Sequence, residues 1–383
     1  MRVAAIGIDR MLNYSPKRLL LSATECNTVL VKLIHRVFNF RGHAMNLFKP
    51  ALFSLTATAL LLSSPLVVAQ RPDLEGVWTN KSLTGLQRPQ GVEQLIASPE
   101  QALAIAARTP IAGLEGGLDE GDGVNNTPEA GAGDFGVRAY NNFWVEPGNN
   151  LALVKGEYRT SYIIDPPDGR VPRHADPQYD FERDNFGSRY ATGVADFSGP
   201  EAFPNSERCL LGFGNKAGPG MMSALYNNTY QFIQTEQYVV ILVEMAHDAR
   251  IIPIYASPAE ARANRRPDAH EPWFGDSVGW YEDDMLVVES VNINPQQLRQ
   301  SAIPITKQGR ILERFSRYSD KEILYQFTVE DDNLYSQQWT AELSFYGTAD
   351  QVYEYACHEG NYSMPGSLAG ARTLELRQEF GLD

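Results

Sequence analysis

The 383-residue chain has few of the residues and motifs that mark a local metal or phosphate site. Its six histidines form neither His-x-His nor His-Glu-x-x-His, so the common local zinc signatures are missing. The glycines of Gly212-Phe-Gly214 and Gly218-Pro-Gly220 are not followed by Lys-Ser or Lys-Thr, and this excludes a phosphate-binding loop. The sequence therefore contains neither of these local metal signatures and no phosphate-binding loop.

Positive charge is also scarce, with 33 Lys and Arg against 47 Asp and Glu and a net charge of -14. An acidic chain without basic clusters does not suit nucleic acid or an anionic membrane surface as a partner. We therefore expect a small-molecule ligand or substrate, no nucleic acid, and no stable membrane insertion once a signal peptide has been removed.

The N-terminal region predicts export. Residues 45–69 have the basic start, the short apolar run and the Val67-Val-Ala69 cleavage site of a signal peptide. The apolar run is too short to span a bilayer. Residues 1–44 precede this signal and are interpreted as a non-native N-terminal extension, although a real targeting extension is the alternative. The prediction is a periplasmic or secreted protein whose residues 70–383 form a single large β domain.

Cysteine is rare, and its placement predicts one disulfide. Of three cysteines, Cys26 falls in the N-terminal extension, which leaves Cys209 and Cys357 in the mature chain. Two cysteines in an oxidising compartment are best explained as a bonded pair.

The mature chain carries the pattern of a mainly β protein. Short β-branched and aromatic runs separated by polar turns indicate an antiparallel meander, which closes as a barrel or packs as a β-sandwich. Long irregular loops and a few short helices are expected between the strands. One helix begins after the cap Ser98 and another spans 367–380. Predicted strands from residue 226 onward are 230–234, 238–245, 250–254, 277–281, 285–291, 311–318, 322–329, 338–345 and 351–357.

Two stretches resemble each other and suggest a duplicated hairpin unit at 140–172 and 226–258. Both begin with Tyr-Asn-Asn, continue through a turn and an apolar strand, and then place an arginine before paired isoleucines. A chance likeness between two hairpins would give the same pattern, and both interpretations stay open.

Several strings are similar to those of a group of exported bacterial proteins of unassigned function. They are Asp165-Pro-Pro-Asp-Gly-Arg-Val-Pro172, Glu207-Arg-Cys209, Tyr226-Asn-Asn-Thr-Tyr230, Glu244-Met-Ala-His-Asp-Ala-Arg250 and Tyr353-Glu-Tyr-Ala-Cys-His-Glu-Gly-Asn-Tyr362. The resemblance implies export but no activity. Gly76-Val-Trp78 also resembles the opening of lipocalin-type barrels, where the indole closes one barrel end.

The candidate catalytic residues are His247, His358, Glu244, Asp248 and Glu359. Both histidines are expected at strand ends and each precedes an acid, so a closed sheet would bring them together. Such a cluster suits general acid–base catalysis near neutral pH. Two alternatives stay open: an open Zn²⁺ or Fe²⁺ site, and hydrogen-bonded turn residues without chemistry. No cofactor is expected.

The candidate substrate-binding residues are Arg250, Tyr226, Asn227, Asn228 and Trp280. Arg250 would bind an anion, the amides would bind polar groups, and the indole would line a cup for a ring. The alternatives are turn formation for the amides and core packing for the indole.

These residues predict an enzyme acting on a small organic molecule, as an isomerase, lyase or hydrolase. The alternatives are a lipocalin-like protein that binds a small molecule without catalysis and a structural module of the cell envelope.

Overall fold

A computed structural model describes residues 71–109, 112, 146–174, 197–212, 216–294, 296–297 and 303–382. The predicted extension 1–44, the predicted signal peptide 45–69 and the start of the first proposed duplicate, 140–145, lie outside the described residues. Helices are α1 (Pro99–Ala106), α2 (Pro258–Ala263) and α3 (Ser363–Glu379). Strands are β1 (Gly76–Thr79), β2 (Ile96–Ala97), β3 (Leu153–Val154), β4 (Glu157–Arg159), β5 (Ile163–Asp165), β6 (Thr229–Gln234), β7 (Tyr238–Val243), β8 (Ala249–Tyr255), β9 (Asp276–Glu282), β10 (Met285–Val291), β11 (Arg310–Ser319), β12 (Glu322–Glu330) and β13 (Trp339–Gly347).

Within the described residues, nine strands close into a barrel. The order is β1-β6-β7-β8-β9-β10-β11-β12-β13, and β13 pairs back with β1. The short strand β5 pairs with β13 beside the barrel, and β2, β4 and β3 form a separate small sheet. The predicted mainly β, lipocalin-like barrel is therefore confirmed.

One neighbouring pair departs from the predicted antiparallel meander, because β8 and β9 run parallel. Residues 256–275 connect them and contain α2, and a parallel connection needs such a crossover. Helix α2 packs on the outside of the barrel, where Ala261 joins Val278, Trp280 and Val287 in a small apolar cluster.

The barrel forms because apolar residues alternate along its strands. On β7, Val239, Ile241 and Val243 are buried whereas Tyr238 is exposed, so one face points into the core. Strand β11 shows the same alternation, whereas β10, β12 and β13 are buried over most of their length on both faces, and the core is rich in aromatic rings. Its members include Phe232, Phe315, Tyr325, Phe327, Trp339 and Phe345.

The Trp78 indole of the Gly-x-Trp pattern belongs to the barrel core. Its ring is buried and its Nε1 donates a hydrogen bond to the Leu74 carbonyl at 3.0 Å. The Arg317 guanidinium lies over the ring, 4.5 Å from its centroid, and donates to the Asp73 carbonyl. This cation–π contact covers the indole from the solvent side.

The segment Lys216–Met222 is buried and packs against inward-facing side chains of the barrel. The Gly220 and Met221 amides donate to the Tyr325 hydroxyl, each at 3.0 Å. A Cβ at Gly220 would lie 2.6 Å from Ile303, so only glycine fits this approach. Backbone thus occupies space that a lipocalin-like cup would leave for an apolar ligand.

The predicted strand at 351–357 is wrong, because no strand forms there. Strand β13 already pairs with β12 on one side and with β1 and β5 on the other, so the closed barrel offers no edge for another strand. The predicted C-terminal helix is present but begins four residues earlier than expected, at Ser363.

Candidate functional site

Residues 351–362, called the strap, cross the end of the barrel where β7 turns into β8. Side chains of that turn fix the strap backbone. The Tyr353 amide donates to Glu244 Oε1 at 3.2 Å, and the Tyr355 amide donates to His247 Nδ1 at 3.0 Å. The structure therefore brings the His247 and His358 segments together, although the strand expected to end at His358 does not form.

A disulfide also attaches the strap to the barrel. Cys357 is bonded to Cys209, which confirms the predicted pair. Close to this bond, Asn361 Nδ2 donates to the Glu207 carbonyl at 2.8 Å. The strap is thus tied to two separate parts of the chain, the β7–β8 turn and the loop around Cys209.

Glu244 joins three elements at the turn. Its carboxylate is 2 % exposed and accepts from the Thr229 amide through Oε2, in addition to the Tyr353 amide through Oε1. Both oxygens of Glu244 therefore bind backbone N–H groups, which leaves this carboxylate engaged in holding the strap.

His247 is exposed, and its hydrogen bond determines which nitrogen carries the proton. Because Nδ1 accepts from the Tyr355 amide, the neutral imidazole must carry its proton on Nε2. In this arrangement Nε2 can donate a hydrogen bond but cannot accept a proton. In the part of the chain that the structure describes, no hydrogen bond joins His247 to His358, and the latter is exposed.

Asp248, at the end of this turn, is partly buried. Burial raises its pKa to about 7, although the Gly212 amide, which donates to Oδ2 at 3.3 Å, acts in the opposite direction. A carboxyl group that titrates near neutral pH is suited to exchanging protons.

Replacing Asp248 by asparagine should change how stability depends on pH. The pKa is raised from 3.8 to about 7 on folding, so the stabilisation present below pH 3.8 is lost as pH rises toward 7. Asp248→Asn should therefore be more stable than the wild type at pH 8, by on the order of 4 kcal/mol, and similar to it at pH 4. Urea denaturation at both values tests this, with Asp284→Asn in the exposed β9–β10 turn as control. Equal effects at both pH values would contradict it.

Arg250 lies in the barrel interior and not at the surface of the turn. Its guanidinium forms a buried ion pair with Glu313, with NH1 at 2.9 Å from Oε1 and NH2 bound to Oε2. Tyr325 donates to the same carboxylate at 2.6 Å. Burial lowers the pKa of Arg250, but the negative charge of Glu313 outweighs this and raises it. The pair leaves Arg250 remote from an external anion.

Asn228 and Trp280 also have structural partners. Asn228 Nδ2 donates to the Glu146 and Ala224 carbonyls at 2.9 Å, and its Oδ1 accepts from the Lys216 ammonium. Trp280 is 2 % exposed and belongs to the cluster beneath α2. Neither lies against the strap pocket described below.

Lys216 was missed by the sequence analysis, since a lone lysine beside Ala-Gly-Pro-Gly carries no recognisable signal. Its ammonium is buried between the Asn228 and Asn80 side-chain oxygens and 5.1 Å from the Tyr230 ring centroid. Burial lowers its pKa to about 7, opposed by the charges of Glu146 and Glu244.

The strap forms one wall of an open pocket with a cavity volume of 630 Å³, called the strap pocket. Three of the predicted site residues, Tyr226, Asn227 and Glu359, line it. Two further carboxylates, Glu207 and Glu354, were not predicted. Their sequence signal was their position beside Cys209 and Cys357, because a disulfide brings its neighbours together.

The lining of the strap pocket is acidic and aromatic. It contains the carboxylates of Glu207, Glu354 and Glu359 and the rings of Tyr226 and Tyr355, and none of its described lining residues is Lys, Arg or His. Among the described residues, neither Glu354 nor Glu359 has an ion-pair partner. The same part of the chain contains no group of three His, Cys, Asp or Glu side chains placed to hold a metal ion.

A Gly-x-Ser-x-Gly pattern occurs at Gly275-Asp-Ser-Val-Gly279. A nucleophile elbow requires the serine on a sharp turn from strand to helix. Ser277 instead lies within β9, and its hydroxyl is 2.7 Å from that of Ser290 on β10. This serine is part of a cross-strand pair.

Comparisons of the chain with known protein families, with curated proteins and with solved structures gave no match. Among the described residues no helix is long and apolar enough to cross a membrane.

Proposed function

We propose that the protein is a periplasmic or secreted binding protein whose ligand, a small organic cation, occupies the strap pocket. The single observation that carries this proposal is the described lining of that pocket, in which three carboxylates and two tyrosines occur without a basic side chain. Carboxylates pair with an ammonium group, and tyrosine faces attract cations through their π-systems. The Cys209–Cys357 disulfide supports the compartment, since such bonds persist where conditions are oxidising.

The hydrogen bonds at the turn favour binding over the acid–base enzyme expected from the sequence. Glu244 has both oxygens engaged by amides, and His247 presents a donor and not a base. Both side chains hold the strap in place, and a rigid pocket wall reduces the entropy lost when a ligand binds.

Calorimetric titration with putrescine and choline, each compared with an uncharged analogue of similar shape, tests this proposal. One of the two cations should bind, and the uncharged analogues should not. The Glu354→Gln/Glu359→Gln variant should weaken binding by about tenfold, the scale of one charge-assisted hydrogen bond. Glu236→Gln, in the exposed β6–β7 turn, is the matched control. Binding of neither cation, or equal affinity in the double variant, would refute the proposal.

The acid–base enzyme is the second candidate, and the raised pKa of Asp248 favours it. Incubating the cations with the protein and following them by NMR would reveal any chemical change. If the wild type converts a cation, and Asp248→Asn still binds that cation but does not convert it, the acid–base enzyme becomes the favoured function.

A further inference from the structure

A second cleft lies between β13 and the small sheet formed by β2, β4 and β3. Its cavity volume is 310 Å³, and it shares no lining residue with the strap pocket. Small-molecule sites generally have volumes of about 300–1,000 Å³, so this cleft suits a single ring. We call it the sheet cleft.

Buried polar side chains form the inner wall of the sheet cleft. Tyr162 is 1 % exposed, and its hydroxyl lies 2.6 Å from Ser82 Oγ and 2.8 Å from Ser223 Oγ. Asn80 is 3 % exposed, and its Oδ1 accepts from the Lys216 ammonium at 3.3 Å. These hydrogen bonds fix the orientation of the polar groups before any ligand arrives, which is a property of preorganised binding sites.

The outer wall supplies hydrogen-bonding groups that lack protein partners. Across the described ranges, the Asn149 side chain and the Tyr158 hydroxyl make no hydrogen bond. Asn150 Oδ1 accepts from the Leu151 amide at 2.8 Å, while its Nδ2 donates to no described residue. Tyr346 donates its hydroxyl proton to the Leu153 carbonyl at 2.6 Å, so its oxygen remains able to accept. The cleft thus offers both donors and acceptors.

The charge of the cleft is close to zero. Lys81 is the only charged residue among the described residues that line it, and the Glu146 carboxylate lies 3.9 Å from the Lys81 ammonium. Amides and hydroxyls without net charge match neighbouring hydroxyl groups on a neutral ligand, each of which donates and accepts. Tyrosine rings together with Leu151 and Leu343 supply apolar surface for the C–H face of a ring.

We propose that the sheet cleft binds a neutral hydroxylated ring, of the class of a monosaccharide. The inference rests on the buried polar wall, on the Asn149 amide, the Asn150 Nδ2 group and the Tyr158 hydroxyl, which have no hydrogen-bond partner among the described residues, and on a charge close to zero. It is independent of the cation proposed for the strap pocket, because the two sites have no residue in common.

Titration with glucose, galactose, mannose, xylose and N-acetylglucosamine, followed by amide chemical shifts and calorimetry, tests the proposal. At least one sugar should bind saturably at millimolar concentration or below. The Asn149→Ala/Tyr158→Ala variant should weaken binding by about tenfold, the scale of two neutral hydrogen bonds. Tyr318→Ala, on an exposed tyrosine of β11, and Glu354→Gln/Glu359→Gln should leave sugar binding unchanged.

Failure of all five sugars to bind would overturn the proposal. Binding that survives in Asn149→Ala/Tyr158→Ala would also overturn it, because the sugar would then occupy another site. If the double variant does not fold, Asn149→Ala alone, on an exposed residue, should still weaken binding severalfold. If no cation binds in the strap pocket while a sugar still binds in the sheet cleft, only the cation proposal is refuted.

Discussion

Replacing Glu313 by glutamine is expected to destabilise the protein by about 3–5 kcal/mol, because Arg250 would be left as an uncompensated charge inside the barrel. The two side chains are 1 % and 0 % exposed. The Tyr325 hydroxyl and the Gly220 amide also donate to this carboxylate, so its loss would reach the buried segment Lys216–Met222. Urea denaturation of the purified variant provides the measurement.

A double replacement separates the effect of the charge from that of packing. Arg250→Met/Glu313→Leu removes both charges and should lose less stability than Glu313→Gln alone, since apolar residues often replace a buried ion pair without cost. The exposed pair Arg372–Glu375 on α3 is the matched control, and Glu375→Gln should change stability by about 0.5 kcal/mol or less. If Glu313→Gln lowers the free energy of unfolding by less than about 1 kcal/mol, the prediction is wrong and water reaches the Arg250–Glu313 pair.

Removing the disulfide is expected to have an effect of similar size. Cys209 and Cys357 are separated by 148 residues, and the chain-entropy model gives about 5 kcal/mol for closing a loop of this length. The Cys209→Ser/Cys357→Ser variant should therefore unfold at much lower urea concentration than the wild type. It should also lose the cation site, because the bond supports one wall of the strap pocket.

Reductant gives the matched control for this prediction. Dithiothreitol should destabilise the wild type and leave the double serine variant unchanged. Thiol labelling of the folded wild type without reductant should find neither cysteine free. Full labelling of either one, or a double variant as stable as the wild type, would contradict the predicted contribution of the bond.

Alternation and turn chemistry were sufficient to predict most of the barrel. The strands from β6 to β13 lie within about two residues of their predicted bounds, a margin within which strand ends are ordinarily assigned. Helix α1 has the expected Ser98 cap, with Gln101 completing a capping box. These features are determined by residues that are close together along the chain, so they can be predicted from a single sequence.

Interactions between distant residues could not be predicted in this way. A charged residue on a strand is expected to face water, yet Arg250 is buried while the adjacent Ile251 is 56 % exposed. Arg250 is buried because it pairs with Glu313 on β11, and no local sequence pattern links these two residues. The absence of long-range information in a local pattern also explains the wrong prediction of a strand at 351–357 in the strap. Its composition is that of a strand, but its amides bind side chains of the β7–β8 turn.

The parallel contact between β8 and β9 follows from simple parity. In a ring of nine strands, direction cannot alternate all the way round, so at least one pair of neighbours must point the same way. Only two residue pairs join β8 to β9, whereas seven join β9 to β10. The cylinder therefore has two short seams, the parallel contact between β8 and β9 and the antiparallel contact between β1 and β13, each joined by two residue pairs.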